Sequence, residues 1–447
     1  MDYEINKTKY VALVGHVQSG KTNEELKYCF QSNVVYKLPV IFIVRNITAD
    51  QLQLYHRIND FNNKNNCNLN CKILSHMNDI VDFLNNCGII ILLCNGPQLK
   101  KITNLLDNYH GKYNLCIDEA DFSLKTKNFT SKIDYYINNL KQRANHILGA
   151  TATPIAMFSG DKLLSKIKRL KCNENYCGLE SLSIRYINSN ITQNPDTDRL
   201  AINEIYSTLL QKSDAVLLHM VSKYKTFHER LLIYLNKLFP QFALLTYNGN
   251  GIKLMCKCNY RLAKSKTVNN YGQLINKYFY VDGVHYFVNY SISEVLQILK
   301  NENQSHISII AGHLASRGIS FVSSDYSLHL TDQYFVPGEK THGENYLQSL
   351  RILGCYKDPC EITLWCKKST WRRIIEHNNV IDNLVECSEN NSEWFEDLQR
   401  VRIPRPDTPL TRPRLSAGTS FNKIPLSDHF TFEISYQELV EESETEE

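Results

Sequence analysis

Short apolar runs separated by longer mixed stretches mark the first half of the chain. Val11–Val14, Val40–Val44, Ile89–Cys94, Leu115–Ile117 and Ile147–Gly149 each read as a buried strand. The stretches between them are long enough for helices, which predicts an α/β fold with a mainly parallel sheet covered by helices. In such sheets ligands sit outside the carboxyl ends of the strands, so the residues directly after each run are the candidates for chemistry. The pattern loosens after Pro154 and becomes polar at Asn188–Asp198 (NSNITQNPDTD), which predicts a loop or linker. A second series then runs through Ala215 onward (AVLLHMV), Phe242–Thr246, Ile307–Ala311, Ser327–Leu330 and Ile362–Trp365, predicting a second α/β domain. The expected layout is a first domain over 1–200, a second over 201–400 with an insertion near 249–299, and a tail over 401–447.

Within the insertion, YFYVDGVHYF (Tyr278–Phe287) carries the Asp282-Gly283 signal of a tight hairpin. Its aromatic residues suit either a strand-separating pin or a hairpin that packs one face into a core, and the second use is the commoner. Ser291 and Glu294 have the spacing of a capping box that opens a helix through Leu299.

Composition narrows the class. In 447 residues, 43% hydrophobic and 21% charged content is that of a globular protein rather than a disordered one. No stretch approaches the roughly 18 apolar residues of a spanning helix, and MDYEINKTKY lacks the apolar centre of a signal peptide. These features predict an intracellular, cytoplasmic protein with no membrane partner. The 14 cysteines read as reduced thiols, and their close pairs do not repeat the spacing of a zinc module. A net charge of +4 permits nucleic-acid binding through a local basic surface without requiring it. Abundant Asn, Ile, Lys and Tyr suggest an AT-rich genome such as that of a large DNA virus, which would place the protein in host cytoplasm or virion. Prolines and arginines alternate from Arg402 to Arg414, and EESETEE closes the chain. Such a tail reads as a solvated linker, with a protein partner as the further use.

Chemistry enters with Gly15–Thr22, GHVQSGKT, an uninterrupted G-x-x-x-x-G-K-[ST] between a strand and a helix. Backbone N–H groups of Gly15, His16, Val17, Gln18, Ser19 and Gly20 would cradle phosphates. Lys21 would reach the β- and γ-phosphates of ATP and the Thr22 hydroxyl would hold Mg²⁺. LCIDEADF (Leu115–Phe122) puts two carboxylates after a strand: Asp118 suits Mg²⁺, and Glu119 suits positioning or deprotonating the attacking water. GATATP (Gly149–Pro154) ends another strand, and Thr151 and Thr153 can hydrogen-bond both the carboxylate motif and a neighbouring segment. Candidate strand contacts for DNA or RNA are Arg45, Asn46, Gln53, Lys223 and Lys225.

P-loop, DEAD and TATP, in this order and followed by a second α/β domain, resemble motifs I, II and III of superfamily two helicases and translocases. SIIAGHLASRGISF (Ser308–Phe321) resembles motif V, which would bring Arg317 and Gly318 near the cleft. NYLQSLRILG (Asn345–Gly354) resembles motif VI, which implies Gln348 near the nucleotide and Arg351 as an arginine finger. The V-Q-S-G-K-T spelling, with L-x-S-R-G (Leu314–Gly318) and Q-x-x-R-x-x-G, is most similar to the helicase-like ATPases of the Z-one endonuclease family. No nuclease signature accompanies it. The resemblance implies two RecA-like P-loop NTPase domains with a cleft between them, closed by ATP and Mg²⁺ and working on nucleic acid. It leaves open a helicase or translocase, a motor subunit without strand separation, and a non-motor interaction protein that keeps the fold.

Overall fold

Seven parallel strands form the first sheet, in the order β3-β4-β2-β5-β6-β1-β7. They are β1 (Tyr10–Val14), β2 (Val40–Val44), β3 (Cys71–Ile73), β4 (Ile89–Leu93), β5 (Asn114–Ile117), β6 (His146–Thr151) and β7 (Lys166–Arg169). Every residue of β1, β2, β4, β5 and β6 is buried, the signature of strands covered on both faces. The covering helices are α1 (Lys21–Phe30), α2 (Thr48–Asn65), α3 (Ile80–Asn85), α4 (Gly96–Leu106) and α5 (Lys132–Arg143). Local sequence sets their ends: the Asn95 side chain caps α4 by accepting from Gln98 N at 3.0 Å, and Asn66 closes α2 with a left-handed φ of 53°. Leu26 and Cys29 of α1 pack with Leu54 and Ile58 of α2 over Leu13, Phe42 and Ile91 of the sheet.

This computed structural model describes residues 5, 8–77, 79–121, 132–155, 157, 163–187, 198–220, 225–248, 251–256, 277–288, 290–312, 315, 319–337, 343–356 and 361–390. The expected linker at 188–197 and the tail from 401 lie outside them. Among the described residues no helix is long and apolar enough to cross a membrane.

The second sheet has nine strands in the order β13-β14-β12-β11-β15-β10-β16-β18-β9. These are β9 (Leu182–Tyr186), β10 (Ala215–Met220), β11 (Ala243–Asn248), β12 (Gly251–Met255), β13 (Lys277–Val281), β14 (Val284–Val288), β15 (His306–Ala311), β16 (Asp332–Phe335) and β18 (Ile362–Cys366). Its helices are α6 (Arg199–Leu209), α7 (Lys225–Leu238), α8 (Ile292–Asn301), α9 (Gly343–Gln348) and α10 (Lys368–Asn390). A small ribbon pairs β8 (Tyr176–Cys177) with β17 (Gly354–Cys355). The expected hairpin is present: Asp282 and Gly283 both take positive φ, 49° and 79°, between β13 and β14. It extends the second sheet through β12, burying His285 and Phe287 while Tyr280 stays 56% exposed. The capping box is also present, with Ser291 N donating to Glu294 Oε2 at 2.7 Å and Glu294 N to Ser291 Oγ at 3.2 Å.

Two features differ from the sequence pattern. The strand expected at Ser327–Leu330 instead lies at β16, because Asp325 captures the neighbouring turn. Its Oδ1 accepts from Ser323 Oγ at 2.6 Å and from Ser327 Oγ at 2.7 Å. Buried Asp332 then opens β16 as the acceptor for Lys212 Nζ at 2.8 Å and Trp365 Nε1 at 2.9 Å, so a polar residue starts a core strand. Secondly, β9 lies within the expected first domain but pairs in parallel with β18 of the second sheet. The chain therefore crosses between sheets in the segment between Arg169 and Leu182.

Candidate nucleotide cleft

The P-loop has the backbone that its sequence requires. Gly20 is left-handed at φ 92°, and Gln18 also has a positive φ, 56°. Any Cβ at Gly15 would meet Ser19 Oγ at 2.7 Å and Leu170 Cβ at 3.0 Å, so only glycine fits that close approach. Gly15 N donates to Thr151 O at 3.1 Å, tying the loop to the end of β6. Lys21 folds back on the loop, its Nζ donating to His16 O at 2.8 Å and Gly15 O at 3.1 Å. Burial lowers its pKa, while Glu119 and Asp118 oppose that shift.

The DEAD segment follows β5. Glu119 takes a positive φ of 50°, and Ala120 N donates to Ala150 O at 2.9 Å, holding this turn against β6. Burial pushes Asp118 up to about 7, with Glu119 and Asp50 adding to the shift. Glu25 on α1 is wholly buried, and burial with Asp118 beside it drives its carboxyl well above the usual range. This excess of carboxyl groups is suited to a divalent cation. No group of three or more His, Cys, Asp or Glu side chains is arranged as a metal cage among the described residues. Thr22 and Asp118 therefore fit a cation that takes its remaining ligands from phosphates and water, the usual habit of Mg²⁺. Ser19 Oγ, buried in the loop with no hydrogen-bond partner among the described residues, is a polar atom that a phosphate would satisfy.

A relay joins the two domains here. Thr151 Oγ1 donates to Asp121 Oδ1 at 2.7 Å, and Thr153 Oγ1 donates to Asp121 Oδ2 at 3.0 Å. Gln348 at the end of α9 donates through Nε2 to Thr153 Oγ1 at 2.6 Å and to Glu119 Oε2 at 3.3 Å. Gln18 Nε2 donates to Arg351 O at 3.2 Å, so the P-loop also touches the second domain directly. Arg351 is 5% exposed, lines the same cavity as Lys21, and works against the charge on Lys21. That cavity is about 440 Å³ and is lined by Val17, Gln18, Gly20, Lys21, Thr22, Asp118, Glu119, Gln348 and Arg351 among others.

Other sequence candidates fall elsewhere. Gly15 and His16 border a separate cavity of about 330 Å³, where His16 stacks on Tyr176 with centroids 6.0 Å apart. Arg45 was expected at a nucleic-acid strand but is 6% exposed, donating from Nε and Nη2 to Asp50 Oδ2 at 2.8 and 2.7 Å. Asn46 is exposed and accepts from Asn95 Nδ2 at 2.9 Å, and half-buried Gln53 lines the same cavity as Lys21. Lys225 opens α7; Lys223, Arg317 and Gly318 lie outside the described residues. Both threonines bond the carboxylate motif as their sequence suggested, but the acceptor that takes them, Asp121, the last letter of the DEAD spelling, was not named by the sequence reading. Sequence reading also missed Asp50, for which no local signal exists.

No protein-family model matches the chain, and no curated protein does. Solved structures do. S. cerevisiae Dbp5 bound to RNA and ADP BeF3 aligns at a TM-score of 0.48 and 9% identity over 87% of this chain and 89% of that one. A DEAD box protein from the hyperthermophile Methanococcus jannaschii aligns at 0.41 and 15% over 85% and 88%. The DUF1998 helicase MrfA, bound to DNA and AMPPNP, aligns at 0.51 and 12% over 85% of this chain and 49% of that one, so the chain spans about half the length of MrfA. At such identities the likeness is one of fold: the chain is built as two RecA-like α/β domains.

Proposed function

We propose that the protein is an ATP-dependent motor on nucleic acid, hydrolysing ATP between its two RecA-like domains as a helicase or translocase. The observation that carries this reading is the contact of Gln348 with both Glu119 and Thr153, which brings motif VI of one domain onto motifs II and III of the other. Lys21 and the P-loop amides bind the phosphates, and Lys21 gives up its bonds to Gly15 O and His16 O to do so. Mg²⁺, held by Thr22 and Asp118, would neutralise phosphate charge when bound. Glu119 orients the attacking water and accepts its proton, and Gln348 fixes the Glu119 carboxylate. Arg351 stabilises charge developing on the γ-phosphate, a contribution on the order of 10³-fold in rate or more. ATP thus draws the domains together, its hydrolysis releases them, and the strand they grip shifts with each cycle. Within superfamily two, the V-Q-S-G-K-T and Q-x-x-R-x-x-G spellings support a place near the Z-one-type ATPases.

ATP turnover with and without single-stranded DNA, RNA and duplex, in wild type, Lys21→Ala and Glu119→Gln, tests the reading. Stimulation by nucleic acid and its loss in both variants are expected. Turnover that no nucleic acid alters would sink the motor, and stimulated turnover that leaves a labelled duplex paired would make it a translocase.

A further inference from the structure

Phosphates gathered at Lys21 and Thr22 leave the rest of the same 440 Å³ cavity to the nucleoside that carries them. That cavity is lined by Arg57 and Phe61 of α2 and by Ile319, Val322 and Tyr326 of the second domain. Among the described residues three aromatic side chains line it: Phe61, Tyr356 and Tyr326. Tyr356 is 4% exposed and its ring lies on His329, centroids 3.9 Å apart and planes at 18°. Phe61 is half-buried against the α1–α2 core, 6.5 Å from Phe30. Tyr326 is different: its side chain is 58% exposed.

Its backbone is also unusual. Tyr326 has a φ of 61°, a left-handed conformation that a bulky residue adopts at a cost and that glycine or asparagine would take readily. Strain of this kind concentrates where a side chain is held for a ligand. The turn that imposes it is fixed on every side. Asp325 Oδ1 accepts from Ser323 and Ser327, Asp325 N donates to Gln297 Oε1 at 3.1 Å, and Tyr326 N donates to Ser323 O at 2.9 Å. The Lys300 ammonium bonds both Asp325 and Ser327, anchoring the turn to α8. A well-anchored turn thus brings one exposed aromatic side chain to the cavity that Gly20, Lys21 and Thr22 of the P-loop also line.

We propose that Tyr326 is the platform on which the base of the bound nucleoside triphosphate stacks. The inference rests on the nucleotide reading of the cleft and adds to it a division of labour: the first domain holds the phosphates and the second domain holds the base. Because the turn is anchored on α8, gripping the base pulls the second domain toward the P-loop, so the nucleoside itself contributes to closure.

The test compares equilibrium binding of ATP and of inorganic tripolyphosphate by the full chain, in wild type, Tyr326→Asn and Tyr326→Phe. Asparagine suits the left-handed backbone, so thermal stability is expected to hold or rise while the ring is lost. ATP affinity should fall about tenfold, the equivalent of about 1.4 kcal/mol, as loss of one base–aromatic stack requires. Tripolyphosphate affinity should stay within about twofold, and Tyr326→Phe should bind ATP as wild type does. Unchanged ATP affinity in Tyr326→Asn, equal loss of both ligands, or a loss confined to single-stranded DNA or RNA would each overturn the proposal. Lys21→Ala in the same assay should lose both ligands; if it retains both, the nucleotide reading itself fails, whatever Tyr326 does.

Discussion

Replacing Arg45 by methionine separates a structural ion pair from a nucleic-acid contact. The guanidinium makes two hydrogen bonds to Asp50 Oδ2, at 2.8 and 2.7 Å, and the two side chains are only 7% and 10% exposed. Methionine keeps much of the aliphatic volume but leaves a buried carboxyl without its cation, a loss of about 3–5 kcal/mol for a pair of this kind. Protonation limits that loss. Burial already pushes Asp50 up to about 6 against the pull of Arg45, so without Arg45 the carboxyl is neutral at moderate pH. Because the folded protein holds this proton more tightly than the unfolded chain, Asp50's stabilising term is complete below about 4 and is lost as pH rises through about 6. That value already includes the pull of Arg45, so removing Arg45 raises the Asp50 carboxyl further. Urea denaturation should therefore show Arg45→Met costing about 2 kcal/mol at pH 6 and about 3–5 kcal/mol at pH 8.5. A surface contact to a phosphate backbone predicts the opposite pattern: stability within about 0.5 kcal/mol of wild type and a salt slope of DNA binding reduced by about one. That result would refute the placement of Arg45 as a buried partner of Asp50.

Two further outcomes follow from buried polar groups. Gln348→Ala removes one neutral hydrogen bond, to Thr153, and one long charged one, to Glu119; ATP turnover should drop about 10- to 100-fold, for about 2 kcal/mol of lost positioning. A double-mutant cycle with Thr153→Val should show strong coupling, and additive losses would argue against the relay. His219, buried with its pKa pushed down to about 3, accepts no proton in the folded protein where the unfolded chain does, so it withdraws stability as pH falls from about 6.5 toward 3. His219→Phe should flatten that fall by up to about 1.4 kcal/mol per pH unit. Tyr206 OH keeps its bond to Ser308 Oγ at 2.7 Å, so an unchanged acid unfolding profile could not be blamed on a lost partner there.

The strands most legible in the sequence are those buried on both faces. Apolar runs such as Val40–Val44 have no alternative environment, and β2, β4 and β5 lie where the pattern places them. Polar strand openings are not legible in this way. Asp332 and Gln333 read as loop until Lys212, Trp365 and the backbone of Ile352 are seen to satisfy them. Strand β9 (LSIRY) is only half-buried, and nothing in its spelling says which sheet it joins.

The sequence by itself determined the parts whose chemistry is contiguous. A phosphate loop needs its glycines, lysine and threonine within eight residues, and the carboxylate and threonine motifs need only a strand end each, so Gly15–Thr22, Asp118–Glu119 and Thr151–Pro154 could be read before any fold was known. The tertiary structure alone decided what those parts face. Asp121 takes both threonines because β5 and β6 are neighbours, and Gln348 reaches Glu119 from more than two hundred residues away because the second domain bonds the P-loop at Gln18 and Arg351. Arg45 turns inward because Asp50, in the first turn of α2, is buried beside it. Tyr326 lines the same cavity as Lys21 because a turn anchored on α8 carries it there. Each of these depends on a partner distant in sequence or on the local burial, and neither quantity is written in the order of residues.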